Sequence, residues 1–191
     1  MGTPEGGDQV IWDSDYAEYG VLEHARHRFL STARAVVSLD IDELVLTKDG
    51  SSIFDIVQRS DTGHVRFDGR WIENATSTEP DPARRRHKHY FYYDEDEPLA
   101  QHKWAVVPAR CPTAAQWRIH DVLGMDEDPL AAEGVTLRHF KAINTNWKTE
   151  RWKPEPLDPE RHRLDEQLMI WLAMFDDGDK PASEARTNSA G

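Results

Sequence analysis

The sequence predicts an α/β domain, a mixed sheet flanked by helices, and three observations carry that expectation. Ala35 to Leu39 is a short, nearly continuous apolar run, the pattern of a strand buried on both faces. The middle of the chain alternates polar and apolar residues with period two, as half-buried strands do. Two other segments, one before that run and one near the C-terminus, repeat their apolar residues at helical spacing. The 191 residues suit one domain or slightly more, at roughly 150 residues per domain. That length can bury a full core without disulfide or metal staples.

In chain order, residues 1–9 are rich in glycine and acidic residues and read as a flexible leader. The expected domain runs over residues 10–178, and Val10-Ile11-Trp12 is the end of a strand. Val21, Leu22, Ala25 and Phe29 give Tyr16 to Leu30 a helical face, which leads into the Ala35–Leu39 strand. Ser52-Ile53-Phe54-Asp55 is a capping box for a short helix continued by Ile56 and Val57. Val65, Phe67 and Trp71 share one face of a strand, and Tyr90–Tyr93 and Trp104–Val107 are two more. Between them stand a basic run, Arg84 to His89, and an acidic run, Asp94 to Glu97. Together they read as a solvated hairpin that neutralises itself, or the basic run meets an anionic ligand. Trp117–His120 and Val135–Ile143 follow as strands. Asp158 is then an N-cap with Pro159 at the first helical position. Leu164, Leu168, Trp171, Leu172 and Phe175 form the last helix's stripe, stopped by Gly178. Residues 179–191 lack periodicity and are expected to be disordered.

Charge and composition exclude several classes. Lys+Arg 23 against Asp+Glu 35 gives a formal charge of −12, and a nucleic-acid binder needs a basic footprint. Cys111 is the single cysteine, so no internal disulfide forms. No apolar run approaches the roughly 18–20 residues that span a bilayer, and the polar N-terminus is no signal peptide. These features predict a cytoplasmic protein without a transmembrane segment, and they leave peripheral membrane association open.

The chemistry concentrates at Asp40-Ile41-Asp42-Glu43, after the first apolar strand. Residues i and i+2 of a strand share a face, so Asp40 and Asp42 are expected to converge on one ligand. Adjacent carboxylates repel unless a cation lies between them, and Mg²⁺ or Mn²⁺ satisfies both. A solvated turn is the plainer alternative. His139 alternates with Val135 and Leu137 and points inward, as a metal ligand or as a hydrogen-bonded core histidine. Arg138, Lys141, Lys148 and Arg151 form a basic set near it. The seven tryptophans are mostly core, although Trp71, Trp117 and Trp147 have the shape to stack on a ligand ring.

The segment RFLSTARAVVSLDIDELVL resembles the surroundings of the D-x-D motif in glycosyltransferases of the GT-A fold. More narrowly, it is similar to the family 2-like and family 92 (DUF23-type) enzymes, where a helix leads into a strand ending in "DxDE". Lys103-Trp104-Ala105-Val106-Val107-Pro108, His120 and Leu137-Arg138-His139-Phe140 match further segments of that family, over roughly residues 10–175. The resemblance implies a metal-dependent glycosyltransferase moving a sugar from a nucleotide-sugar donor to a glycan or glycoconjugate acceptor. Asp40, Asp42 and His139 would then hold the Mn²⁺ or Mg²⁺, and Glu43, Trp71, His120 and Lys141 would contact substrate. The carboxylate that takes the acceptor proton is Asp121 first and Glu73 second. The chain departs from the family at its front, where room for only one short strand and one helix precedes Asp40. The implied fold is therefore GT-A-like but N-terminally truncated, with an exposed sheet edge or apolar patch expected where the missing unit would pack. The rivals are a catalytically silent carbohydrate- or protein-binding remnant and a metal-dependent phosphotransferase of the haloacid-dehalogenase type. The latter also begins from Asp-x-Asp, but Glu43-Leu44 replaces the small continuation it prefers.

Overall fold

The computed structural model describes residues 15–78, 80–81, 84–143 and 153–175. The expectations for residues 1–9, for Val10-Ile11-Trp12, for Trp147, Lys148 and Arg151, and for residues 178–191 lie outside these. In chain order the elements are α1 (Asp15–Arg28), β1 (Val36–Val37), β2 (Glu43–Thr47), α2 (Ile53–Arg59), β3 (His64–Ile72) and β4 (Tyr92–Asp94). They continue with β5 (Ala100–Val106), β6 (Gln116–Trp117), β7 (Val122–Leu123), β8 (Val135–Phe140), β9 (His162–Leu164) and α3 (Glu166–Ala173). The fold is α/β. Five strands form a mixed sheet in the order β1-β5-β3-β8-β2, and β4 with β9 and β6 with β7 make two small ribbons. Within the main sheet only β3 and β8 run parallel. Antiparallel neighbours need no helical crossover, which fits a sheet of this length served by three helices. No helix among the described residues is long and apolar enough to cross a membrane.

Residues paired across a sheet point to the same side, so the register sorts the side chains. One face carries Val37, Val45, Val65, Phe67, Ala105, Val135 and Leu137, and Ile53 and Val57 of α2 pack onto it. Continuing along that face, the register adds Glu43, Trp71, Lys103 and His139. The apolar half is thus filled by α2, and the other half of the same face is charged. The opposite face is covered in two places. Tyr90 and Leu168 of α3 meet Leu46, Ile72 and Phe140, while Trp117 and Leu22 of α1 meet Trp104 and Val106. Between Phe67 and Gly69 the β3–β5 register slips. A Cβ at Gly69 would lie 2.8 Å from the Ala100 Cβ and 3.1 Å from Leu137 Cδ2, so only glycine lets the three strands approach here.

The first apolar run departs from expectation. Ala35–Leu39 yields a two-residue, half-buried edge strand, not a central one. Consecutive strands β1 and β2 occupy opposite edges, so residues 38–42 cross the end of the sheet between them. The Ser38 amide donates to Trp104 O on β5 at 3.1 Å, and the Phe140 amide on β8 donates to Asp42 O at 2.8 Å. Asp40 and Asp42 therefore belong to a crossing turn, closed by the Glu43 amide donating to Asp40 O at 3.2 Å. The strand alternation expected to align them does not apply.

Helix α1 forms as expected, but Val21 and Phe29 of its predicted face are exposed. Besides the apolar contact of Leu22, it docks through polar groups. The Arg26 guanidinium donates to the carbonyls of Ala115 and Pro112, and the Glu23 carboxylate accepts the Trp117 amide at 2.6 Å. Ser52 caps α2 by accepting from the Phe54 amide at 3.2 Å. Trp117 to His120 is not one strand but a hairpin, because β6 pairs with β7. The last helix starts later than predicted. Asp158 accepts the Glu160 amide in a turn, and Leu164 lies exposed on β9, which pairs with β4. The true N-cap is Asp165, whose carboxylate accepts the Leu168 amide at 3.0 Å. Phe175 is exposed, not part of a buried stripe. The acidic run turns towards the C-terminal region. Asp94 pairs with Arg161, Glu95 with Arg163 at 3.8 Å and Glu97 with Lys141 at 2.7 Å.

Candidate functional site

Five side chains form a chain of contacts across the charged half of the sheet. His139 on β8 lies with Nε2 3.3 Å from Asp42 Oδ2 and Nδ1 3.5 Å from Glu43 Oε1. Glu43 Oε2 accepts the Asp40 amide at 2.8 Å and lies 3.3 Å from Lys103 Nζ. The Lys103 ammonium then donates to Asp40 Oδ2 at 2.7 Å. Glu43 and Lys103 are buried, with the Lys103 side chain only 1% exposed, whereas Asp40 faces solvent. Burial pushes the Glu43 carboxyl above its ordinary value, against the pull of Lys103. Trp71 stacks on the His139 ring, centroids 4.1 Å apart and planes at 27°. The His87 ring packs edge-on against Phe140 and bonds Ile41 O at 3.1 Å. The basic run thus reaches the Asp-x-Asp turn. Burial lowers the pKa of His87, disfavouring its charged form.

A second carboxylate station adjoins the first. Glu73, just past β3, is buried, and its Oε2 accepts from Lys141 Nζ at 2.8 Å. Lys141 also meets Glu97 at 2.7 Å and lies 5.9 Å from the Trp71 ring centre. The Glu73 carboxyl is pushed up to about 7, first by burial. A hydrogen bond from Lys141 opposes the rise, and a hydrogen bond to the Glu155 carboxyl and the charge of Glu97 add to it. A groove lined by Arg70, Trp71, Tyr93, Glu97 and Leu99 opens beside this station. Two aromatic rings, Trp71 and Tyr93, share its walls with the acidic Asp94, Glu95 and Glu97, and the Arg70 guanidinium lies 3.9 Å from the Tyr93 ring centre.

The structure gathers Asp40, Asp42, Glu43 and His139 around one contact chain, with Trp71 as the bridge to Glu73 and Lys141. Asp121 and His120 belong to another cluster. Asp121 accepts from His102 Nε2 at 3.1 Å, lies 3.7 Å from Arg66, and is substantially exposed. His120 Nδ1 bonds the His102 carbonyl at 3.1 Å, and burial lowers its pKa. Of the two proton-acceptor candidates, Glu73 has the environment that poises a base near neutral pH. Arg138 is buried against Asp165 at 2.6 Å and does not face the site. The sequence reading missed Lys103 as a site member. Its signal was a lysine directly before the apolar run Trp104–Val107, where burial demands a carboxylate partner.

The donors expected for Mn²⁺ or Mg²⁺ do not fit one as placed. Among the described residues no group of three or more His, Cys, Asp or Glu side chains could hold a metal ion. The position between Asp40 and Glu43 is taken by the Lys103 ammonium. No family model and no curated protein matches the chain.

Proposed function

We propose that this chain is a glycosyltransferase of GT-A-like descent that transfers sugar from a nucleotide-sugar donor to a glycan or glycoconjugate hydroxyl, with Glu73 as its base. The observation that carries the reading is the buried Glu73 carboxyl, raised to about 7 near a groove that Trp71 and Tyr93 help to line. In the reaction the acceptor O–H gives its proton to the Glu73 carboxylate while its oxygen bonds to the anomeric carbon. The sugar–phosphate C–O bond breaks, and its electron pair leaves with the nucleoside diphosphate. Lys141 holds Glu73 in place. The exposed side of Trp71 gives the sugar a flat apolar face. No step runs through a metal ion.

The test pairs calorimetric titration of a nucleoside diphosphate with an assay of its release from nucleotide sugars in the presence of acceptor glycans. Wild type should bind the nucleotide, and kcat/KM should rise with pH through about 7 as Glu73 ionises. Glu73→Gln should retain binding and lose about 10²–10⁴-fold in kcat. Absence of nucleotide binding at millimolar concentration would sink the reading. It would favour a catalytically silent carbohydrate- or protein-binding remnant, to which the ion-paired state of Asp40 and Glu43 lends support.

A further inference from the structure

We propose that the Lys103 ammonium is the resident counter-cation of the Asp-x-Asp segment and makes this site independent of divalent metal. Lys103 stands on β5 opposite Phe67, and its stem runs along the apolar face before the ammonium emerges between Asp40 and Glu43. One cation thereby satisfies two carboxylates and pins the crossing turn at 38–42 to the sheet. Glu43 Oε2 is engaged twice, by the ammonium and by the Asp40 amide. A Mn²⁺ or Mg²⁺ ion needs about six oxygen ligands in close octahedral geometry. To gain Asp40 and Glu43 it would have to displace the Lys103 ammonium, whose side chain is 1% exposed. A buried charge without a partner is costly, so displacement opposes metal binding at every concentration below that of nonspecific association.

The inference rests on ion-pair geometry and stands whether or not glycosyl transfer is the reaction, because its readout is metal binding. Full-length wild type, stripped by chelator, is titrated with Mn²⁺ and followed by electron paramagnetic resonance and thermal melting. The expected result is no saturable Mn²⁺ site that depends on Asp40 or Asp42, and a melting temperature unchanged by chelator. Lys103→Met, which removes the charge and keeps the length, should melt lower, gain a saturable Mn²⁺ site and recover melting temperature when Mn²⁺ is added. Adding Asp40→Asn to Lys103→Met should abolish that gain. A wild-type Mn²⁺ site lost in Asp40→Asn or Asp42→Asn overturns the proposal, as does a folded Lys103→Met that acquires no site. If Lys103→Met does not fold, the wild-type titration decides alone.

Discussion

Two buried glutamates, Glu43 on β2 and Glu73 just past β3, each have a lysine partner and opposite tasks. Glu43 pairs with Lys103, both sequestered from solvent, and His139 and the Asp40 amide close the remaining sides. Glu73 pairs with Lys141, which is partly exposed and shared with Glu97. At the first station the lysine has nowhere else to go, so the pair is structural. At the second the lysine is more exposed, and burial, with Glu155 and Glu97 nearby, raises the Glu73 carboxyl to about 7. Each cation serves two acids, and the difference lies in exposure, the Lys103 side chain being 1% exposed and that of Lys141 17%.

Substitutions should separate the two stations. Lys103→Met leaves Asp40 and Glu43 without their cation, and should cost about 3–5 kcal/mol in urea unfolding, the range for breaking a buried pair. Lys141→Met should cost about 1.5–3 kcal/mol, because Glu73 can keep its proton instead of standing charged and alone. Equal losses would erase the distinction. A weaker but more specific effect is the dependence on pH. The folded Glu73 pKa of about 7 lies above the ordinary 4.5, so between those values the native state holds a proton that the unfolded chain has released. Stability is therefore lost as pH rises through that window. Unfolding curves at pH 5 and pH 8 should show this fall in wild type and a shallower one in Glu73→Gln. Identical slopes would mean Glu73 ionises normally. The smallest effect should come from Asp121→Asn, whose partners are part-exposed. About 0.5–1 kcal/mol or less is expected, with the activity limb near pH 7 unmoved.

Local chemistry was readable from the sequence, and pairing was not. The Ser52 cap, the shared face of Val65, Phe67 and Trp71, and the alternation through β8 depend on neighbours a few residues away, and each appears where expected. Ala35–Leu39 looked central because an apolar run does not reveal which strands flank it. Its partner is β5, and the edge position leaves it half-buried. Asp158 carries the same capping signature as Asp165, but the pairing of β9 with β4 claims the residues that follow it. Most of the candidate site residues converge as a set, yet Asp40 and Asp42 arrive there through a crossing turn. Lys103 lay in plain view, and only its placement opposite Phe67 made it a member.

The crossing segment at 38–42 also bears on how this protein assembles, through the sequence separation of its contacts. It bridges strands whose closest ties lie far apart in sequence, Asp42 to His139 at a separation of 97 residues and Asp40 to Lys103 at 63. Contacts of such separation form late, after loop closure has been overcome. The contact chain from Asp42 to Asp40 is therefore a seal on the finished sheet. Undocking β2 alone would part Glu43 from both His139 and Lys103, and so dismantle the centre that the seal closes.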